Sequence, residues 1–364
     1  MTIKEVTNTI EELAPLAYAE DFDNVGLLVG DNNQEVTGIL VTLDTLENTV
    51  EEAITKHCNL IVSFHPILFS GIKKLTGSTY VERVLMHAIK NNIAIYAIHT
   101  ALDNIPQGVS KGMCDALNLS HRNILIPKKN IIKKLTTYVP KNEVIFVREA
   151  LFAAGAGNIG NYDECSFATK GKGTYRGNED SNPTVGEKGQ LQQEKEVQLN
   201  VTFDSYKENE ILKALFEVHS YEEVAYEVVT LDNINQNVGM GMIGNLPDAM
   251  DELVFLRMIQ KTFHAQGIKH TELREKTVKK IAVLGGSGSF AIEAAIRAGA
   301  DAFITADLKY HQFYQAEGKI LLVDIGHYES EQFTKNILTH YLRKKISNFA
   351  VILSEEDTNP IKYL

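Results

Sequence analysis

Three observations predict an α/β protein carrying an inserted α+β domain. Strand and helix patterns alternate through about the first 125 residues, the same alternation returns over about the last 90, and the stretch between changes habit. In order, "IKEVTNTIEELAP" has apolar residues at helical spacing, "EVTGILVTLD" reads as a strand and "TLENTVEEAITKH" as a helix. "NLIVSF" is a strand, "TYVERVLMHAIKNN" a helix and "IAIYAIH" a strand. Strands separated by helices of about 12 residues indicate βαβ units and a parallel sheet. Near the C-terminus come "KKIAVLGG", "SFAIEAAIRAGA", "DAFITAD", "KILLVDIG", "SEQFTKNILTHYLRKK" and "FAVILSE", which follow the same rule.

The middle reads β-α-β-β-α-β: "KKLTTYVP", "NEVIFVREALFAAG", "YDECSFATKGKGTY", "EKEVQLNVTF", "YKENEILKALFEVH" and "VAYEVVTLDN". That order is ferredoxin-like. Its central strands are joined by "RGNEDSNPTVGEKGQLQQ", a loop or flexible hairpin rich in Gly, Pro, Asn and charge. The expected organisation is a discontinuous α/β core over residues 1–128 and 236–364, with the ferredoxin-like domain inserted at 129–235.

A chain of 364 residues suits two or three units with real cores. The net charge of −11 leaves no basic excess for neutralising phosphates, so general nucleic-acid binding is not expected. Cys58, Cys114 and Cys165 lie far apart without a Cys-x-x-Cys pair, which fits a reducing, cytoplasmic setting. The acidic, amphipathic "MTIKEVTNTIEEL" does not read as a signal peptide, and no apolar run approaches the ~20 residues of a membrane span.

Ionisable residues gather at the ends of the α/β strands. "NLIVSF" runs into His65, and "IAIYAI" into His99 with Asp103 four residues on. "DAFITA" is followed by Asp307 and then His311, and "KILLVDI" by Gly326-His327 with Glu331 four residues on. In an open parallel sheet such ends share one edge, where ligands bind. His327 and Glu331 fall on one side of a helix's first turn. Histidine and carboxylate suit a divalent cation. Spacing alone leaves two readings open for each residue, a metal ligand or an incidental polar group at a strand end.

The turn "GGSGS" after a strand and before a helix offers Gly285, Gly286, Ser287 and Gly288 as an anion-site candidate, because glycines let backbone amides approach a phosphate. Backbone geometry alone equally demands glycine there. Glu222 and Glu223 in "HSYEEVAYEV" read as a ligand-binding pair or as a polar turn. No nucleophile elbow and no P-loop lysine occur.

Six ordered motifs resemble the GTP cyclohydrolase I type 2 homologues, or NIF-three-like proteins. "DFDNVGLLVG" is similar to that family's Asp-Asn-Val-Gly-Leu segment, with Phe22 where tryptophan is usual. "SFHPILF" resembles its His-His-Pro, "HTALD" its His-Thr-x-x-Asp and "GGSGS" its glycine turn. "TADLKYH" and "DIGHYESE" resemble its Thr-Gly-Asp-x-Lys-Tyr-His and Gly-His-Tyr-x-x-Glu segments. The middle segment resembles the PII- and CutA-like insertion of longer members.

The resemblance implies a two-lobed core with a metal site between the lobes and assembly as a homohexamer. It implies His65, Asp103, His327 and Glu331 as ligands for one or two divalent ions per chain, Zn, Fe, Mn or Co. Phe64 replaces one of the family's paired histidines, which puts the second ion in question. As an enzyme the protein would be a metal-dependent hydrolase of GTP or another phosphorylated ligand. Glu331 or Asp103 would then orient water, and Lys309 or His311 would bind phosphate or move protons. The alternative is a non-enzymatic metal-binding regulator or metallochaperone whose insert senses a small molecule.

Overall fold

The computed structural model describes residues 1–364 and divides into two units, Met1–Pro127 with Gln236–Leu364, and Lys128–Asn235. The first stretch of the larger unit contains α1 (Ile3–Leu13), β1 (Gly26–Val29), β2 (Ile39–Thr42), α2 (Glu47–Thr55), β3 (Leu60–Ser63), α3 (Tyr80–Lys90) and β4 (Ala94–Ala97). It ends with α4 (His99–Asp103), α5 (Val109–Ala116) and β5 (Ser120–Pro127). The smaller unit follows, with β6 (Ile132–Pro140), α6 (Val144–Ala153), β7 (Ser166–Tyr175), β8 (Gln192–Asp204), α7 (Glu208–Val218) and β9 (Tyr226–Leu231). The chain returns through β10 (Gly239–Asp251), α8 (Glu252–Thr262), β11 (Lys269–His270), β12 (Thr277–Ser287), α9 (Ile292–Arg297) and β13 (Ala302–Ala306). It finishes with β14 (Leu321–Asp324), α10 (His327–Glu331), α11 (Thr334–Lys345) and β15 (Val351–Leu353).

The larger unit holds two sheets. The first has the order β1-β4-β3-β2-β15, parallel except for β1. Every residue of β2, β3 and β4 is buried, as expected of short parallel strands covered on both faces. Ile61, Val84, Leu85 and Ile95 are among the residues packed on one side. The second sheet has the order β11-β14-β13-β12-β10-β5, of which β12, β13 and β14 run parallel. Two apolar clusters fill its faces, one around Phe255, Phe263 and Ile304, the other around Phe303, Leu322 and Ile292. Fully burying each such side chain contributes about 1.5–3 kcal/mol.

One expectation changes here. The polar strand ends lie on the edges of two sheets and not one, because the two βαβ runs close separate sheets. Sequence reading also missed β5, β10 and α8. The stretch "GMGMIGNLP" carries three glycines and a proline among its apolar residues, a poor strand signal. Pairing with β5 and β12 overrides it. Gly239 lies opposite Pro127, so the chain leaves and re-enters the larger unit at one antiparallel pair.

In the smaller unit β8 alternates strictly, with Val197, Leu199, Val201 and Phe203 buried. They pack against Val147 and Leu151 of α6 and Ile211 and Leu215 of α7. Its strands are all antiparallel in the order β7-β8-β6-β9. The long connection between β7 and β8 is tied down by Tyr175, whose hydroxyl donates to the Val185 carbonyl (2.6 Å), and by Asn182, whose amide donates to Glu222 (2.7 Å).

One buried ion pair secures the second sheet. Arg274 donates from Nε to Glu252 at 2.8 Å and from its guanidinium to the carbonyls of Lys319 and Asp301. Both side chains are nearly fully buried. Arg274→Ala strands the Glu252 carboxylate and is expected to cost about 3–5 kcal/mol, read as a lowered urea midpoint with an unchanged slope.

Candidate metal centre

Backbone pairing that outlasts the strands positions the first half of the site. Beyond β3, Phe64 N donates to Thr42 O (3.1 Å) and His65 N to Leu43 O (2.9 Å), while His99 N donates to Phe64 O (2.9 Å). The residues after β2, β3 and β4 therefore stay in register, and Asp44, His65 and His99 arrive side by side. In the second sheet, Ile325 N donates to Thr305 O (3.0 Å) and Ser330 N to Gly326 O (3.1 Å), which sets α10 against the end of β13. Gly326 has φ +96°, a turn into α10 that other residues adopt only with strain.

The geometry centres on Glu331, which is 3 % exposed. Its Oε2 lies 3.0 Å from His65 Nε2 and 3.1 Å from His327 Nε2. On the far side of each imidazole stands a second carboxylate. His65 Nδ1 is 2.7 Å from Asp44 Oδ1, and His327 Nδ1 is 2.7 Å from Asp307 Oδ2. These outer bonds fix each ring and direct Nε2 inward. His65 Nε2 and Glu331 Oε2 are buried without a hydrogen-bond partner, although they approach each other closely. Buried polar atoms are nearly always satisfied, so two orphans converging on one point mark a place for a third body. A divalent cation answers that description. Both ligand types suit it, and an imidazole backed by a carboxylate is the usual construction around such ions.

The charges agree with that reading. Burial works to raise the Glu331 carboxyl, but His65 and His327 outweigh it and hold the group down to about 2. Burial works to lower both imidazoles, yet their carboxylate neighbours win. Glu331 and Asp44 push His65 up to about 10, and Asp307 and Glu331 push His327 up to about 11. Asp307 is itself held low, first by its hydrogen bond to His327. Asp103, half-buried on α4, is raised well above the carboxylate range, chiefly by burial and then by the charge of Glu331. The side chains thus stock the site with protons that a cation can replace.

The glycine turn has a close-packing role. A Cβ on Gly286, whose φ is +66°, would lie 2.3 Å from Glu331 Oε1, and one on Gly285 would lie 2.5 Å from Val109 Cγ1. The Gly286 amide donates to Ser330 Oγ (2.9 Å), and Ser287 bonds Asp307. A Cβ on Gly288 would strike Thr305 Oγ1. These residues make room for the buried carboxylate and brace the elements behind it. No anion contact is needed to account for them.

His65, Asp103, His327 and Glu331 all line one cavity of about 520 Å³. His65, His327 and Glu331 form its tight cluster, with Asp103 further along the wall. Lys309 and His311 are exposed and outside that lining, where His311 packs beside Tyr310 and Tyr314. Sequence reasoning missed Asp44 and Asp23 as partners of histidines. Their signal was faint, an aspartate closing "GILVTLD" and one inside "DFDNVG". Exposed Phe22, Phe69, Tyr80 and Phe290 give the cavity an aromatic rim.

The family model described as Duf34/NIF3 (NGG1p interacting factor 3) matches residues 1–360. Relatives named "GTP cyclohydrolase 1 type 2 homolog" include one from Bacillus subtilis, 35 % identical over 99 % of this chain and 98 % of its own length. Another, from Halalkalibacterium halodurans, is 34 % identical over 99 % and 98 %. Among solved structures, a Bacillus cereus protein related to NIF3 superposes with a TM-score of 0.84 at 32 % identity, covering 100 % of this chain and 99 % of that one. Staphylococcus aureus protein SA1388 does so at 0.81 and 28 %, with coverage of 100 % and 99 %. No helix is long and apolar enough to cross a membrane.

Two outcomes are expected of this geometry. In chelating buffer, Glu331, His65 and His327 together should contribute most to stability between about pH 4.5 and 6.5. Glu331, with its depressed value, contributes fully above its ordinary 4.5 and loses that contribution as pH falls toward 2. His65 and His327, with raised values, contribute fully below their ordinary 6.5 and lose it as pH rises through about 10 and 11. Urea unfolding across pH measures both limbs, and His327→Gln should flatten the alkaline one. Gly286→Ala should cost more than about 1 kcal/mol in the same assay, because it combines strain at positive φ with a clash against Glu331.

Proposed function

The chain belongs to the Duf34/NIF3 family, and on that premise we propose that it is a divalent-metal-binding protein whose His65, Asp103, His327 and Glu331 hold the ion. The carrying observation is the pair of orphaned buried atoms, His65 Nε2 and Glu331 Oε2, facing one point beside His327 Nε2. We further propose metal-dependent hydrolysis of GTP or another phosphorylated ligand, which the printed names of the relatives support. A bound ion supplies Lewis acidity and a water of lowered pKa. Around it, Asp44 and Asp307 orient the imidazoles, and Glu331 and Asp103 bind from the cavity wall. The aromatic rim limits water access and offers flat surfaces to a planar base.

The second reading is a non-enzymatic metal-binding regulator or metallochaperone. It is favoured by Phe64, a fully buried apolar ring immediately before His65. In either case the smaller unit is ferredoxin-like, as its strand order supports. It resembles PII and CutA domains, and the protein assembles as a homohexamer.

Titrating chelator-treated protein with Zn²⁺ should show high-affinity binding with release of about two protons per ion at pH 8, read from the buffer dependence of the calorimetric enthalpy. Glu331→Gln or His65→Ala should weaken it at least tenfold. GTP turnover that needs the metal and disappears in Glu331→Gln supports the enzyme. Inertness of the fully loaded protein toward GTP and other phosphorylated compounds leaves the regulator.

A further inference from the structure

We propose that the smaller unit binds a phosphorylated ring compound of the nucleotide class in a cavity of its own. That cavity lies between the ends of β7 and β8, the connection joining them and the turn before β9. Its volume is about 810 Å³, and it shares no lining residue with the cavity at the metal centre. The proposal therefore stands whichever reading of the larger unit holds.

Hydrogen bonds build this space. β6 pairs with β8 only as far as Pro140 opposite Glu196, whereas β7 runs on beside β8 to Tyr175 opposite Gln192. The ends of β7 and β8 thus project past β6 as a ribbon. The connection between them is latched to the turn before β9, where the Thr184 hydroxyl donates to the Ser220 carbonyl (2.9 Å) and the Asn182 amide to Glu222 (2.7 Å). That turn is fixed in its own right. The ring of buried His219 meets the Tyr138 carbonyl through Nε2 at 3.1 Å and accepts from the Tyr221 amide at Nδ1, also at 3.1 Å. The Tyr221 hydroxyl then donates to Glu196 of β8 at 2.9 Å.

Two glycines of β7 line the cavity for different reasons. A Cβ on Gly173 would strike the Glu196 carboxylate, so packing within the chain accounts for that glycine. A Cβ on Gly171 would meet nothing within 4 Å, and its φ is not in the left-handed region. Neither packing nor conformation requires glycine there, and a glycine inside a strand marks the close approach of a ligand or another backbone.

The lining indicates the ligand. Lys170, Lys172 and Arg176 line the cavity without a carboxylate partner in the chain, while Glu196 and Glu222 already accept from Tyr221 and from the Asn182 amide. Ammonium and guanidinium groups left open in this way take a phosphate. Tyr138, Tyr175 and Tyr221 offer ring faces to a planar base, and Asp180 and Glu223 offer acceptors to its amino group. The volume falls within the range of about 300–1,000 Å³ typical of small-molecule sites.

Calorimetric titration of the chelator-treated full chain with ADP, GDP and UDP tests this, with pyrophosphate and the matching nucleosides as the separated halves. At least one nucleotide should bind with a Kd below about 1 mM. Pyrophosphate and the corresponding nucleoside should each bind at least tenfold more weakly. A chain carrying both Lys172→Ala and Arg176→Ala should lose at least tenfold in affinity. Gly171→Val, which places a side chain in open space, should abolish binding without lowering the melting temperature. Thermal melting establishes that each variant is folded, and the double variant carries the test if Gly171→Val is not. The proposal is overturned if none of the three nucleotides binds, or if pyrophosphate or the nucleoside binds as tightly as the nucleotide. Unchanged affinity in either folded variant overturns it as well, because binding then lies elsewhere on the chain.

Discussion

The carboxylate of Glu331, buried between two imidazole nitrogens, is the constraint on which the larger unit's functional end depends. Taking a carboxylate out of water costs several kcal/mol unless charge and hydrogen bonds compensate. Here compensation arrives from both sheets, His65 after β3 and His327 after β14, each within 3.1 Å of the same oxygen. Room for the other carboxylate oxygen exists because Gly286 carries no side chain, and Gly285 beside it leaves space for Val109. The helix that presents Glu331 begins at Gly326, in a backbone conformation suited to glycine. Removing any of these features leaves a buried charge without its partners.

Outward from Glu331 the charges alternate. Carboxylate meets imidazole, and each imidazole meets a second, more exposed carboxylate, Asp44 or Asp307. The alternation determines which ring nitrogen faces inward and holds the rings without relying on rotamer preference. Asp23, Asp44, Asp103, Asp307 and Glu331 around three histidines make the region locally acidic, in a chain whose net charge is −11. Such a field draws cations toward the cavity, and the low dielectric behind the aromatic rim strengthens it.

The precision comes from the strands. β2, β3 and β4 are four residues each and wholly buried, so they are held by packing on both faces. Their ladder continues for a residue or two beyond the regular strands, to His65 and His99. A polar residue one step past a buried strand inherits that rigidity. The fully buried Phe64 adds to it by packing its ring against both imidazoles.

What the sequence determined by itself was the rhythm of elements and the chemistry at their ends. Apolar runs of four or five residues, helices between them and ionisable groups just past the strands are local patterns. They made the α/β character legible, along with the placing of His65, Asp103, His327 and Glu331 just past strands or on the short helices that follow them. Tertiary structure decided what local patterns do not encode. It divided the strands between two sheets, and it recruited β10 through pairing despite its glycines. It turned "GGSGS" into packing space for Glu331, and it left Lys309 and His311 exposed although they follow Asp307 closely in sequence. It also chose the partners of the histidines, Asp44 for His65 and Asp23 for His99, across separations of 21 and 76 residues. Such pairings depend on how strands are ordered across a sheet, and strand order follows from burial over the whole chain rather than from any window of it.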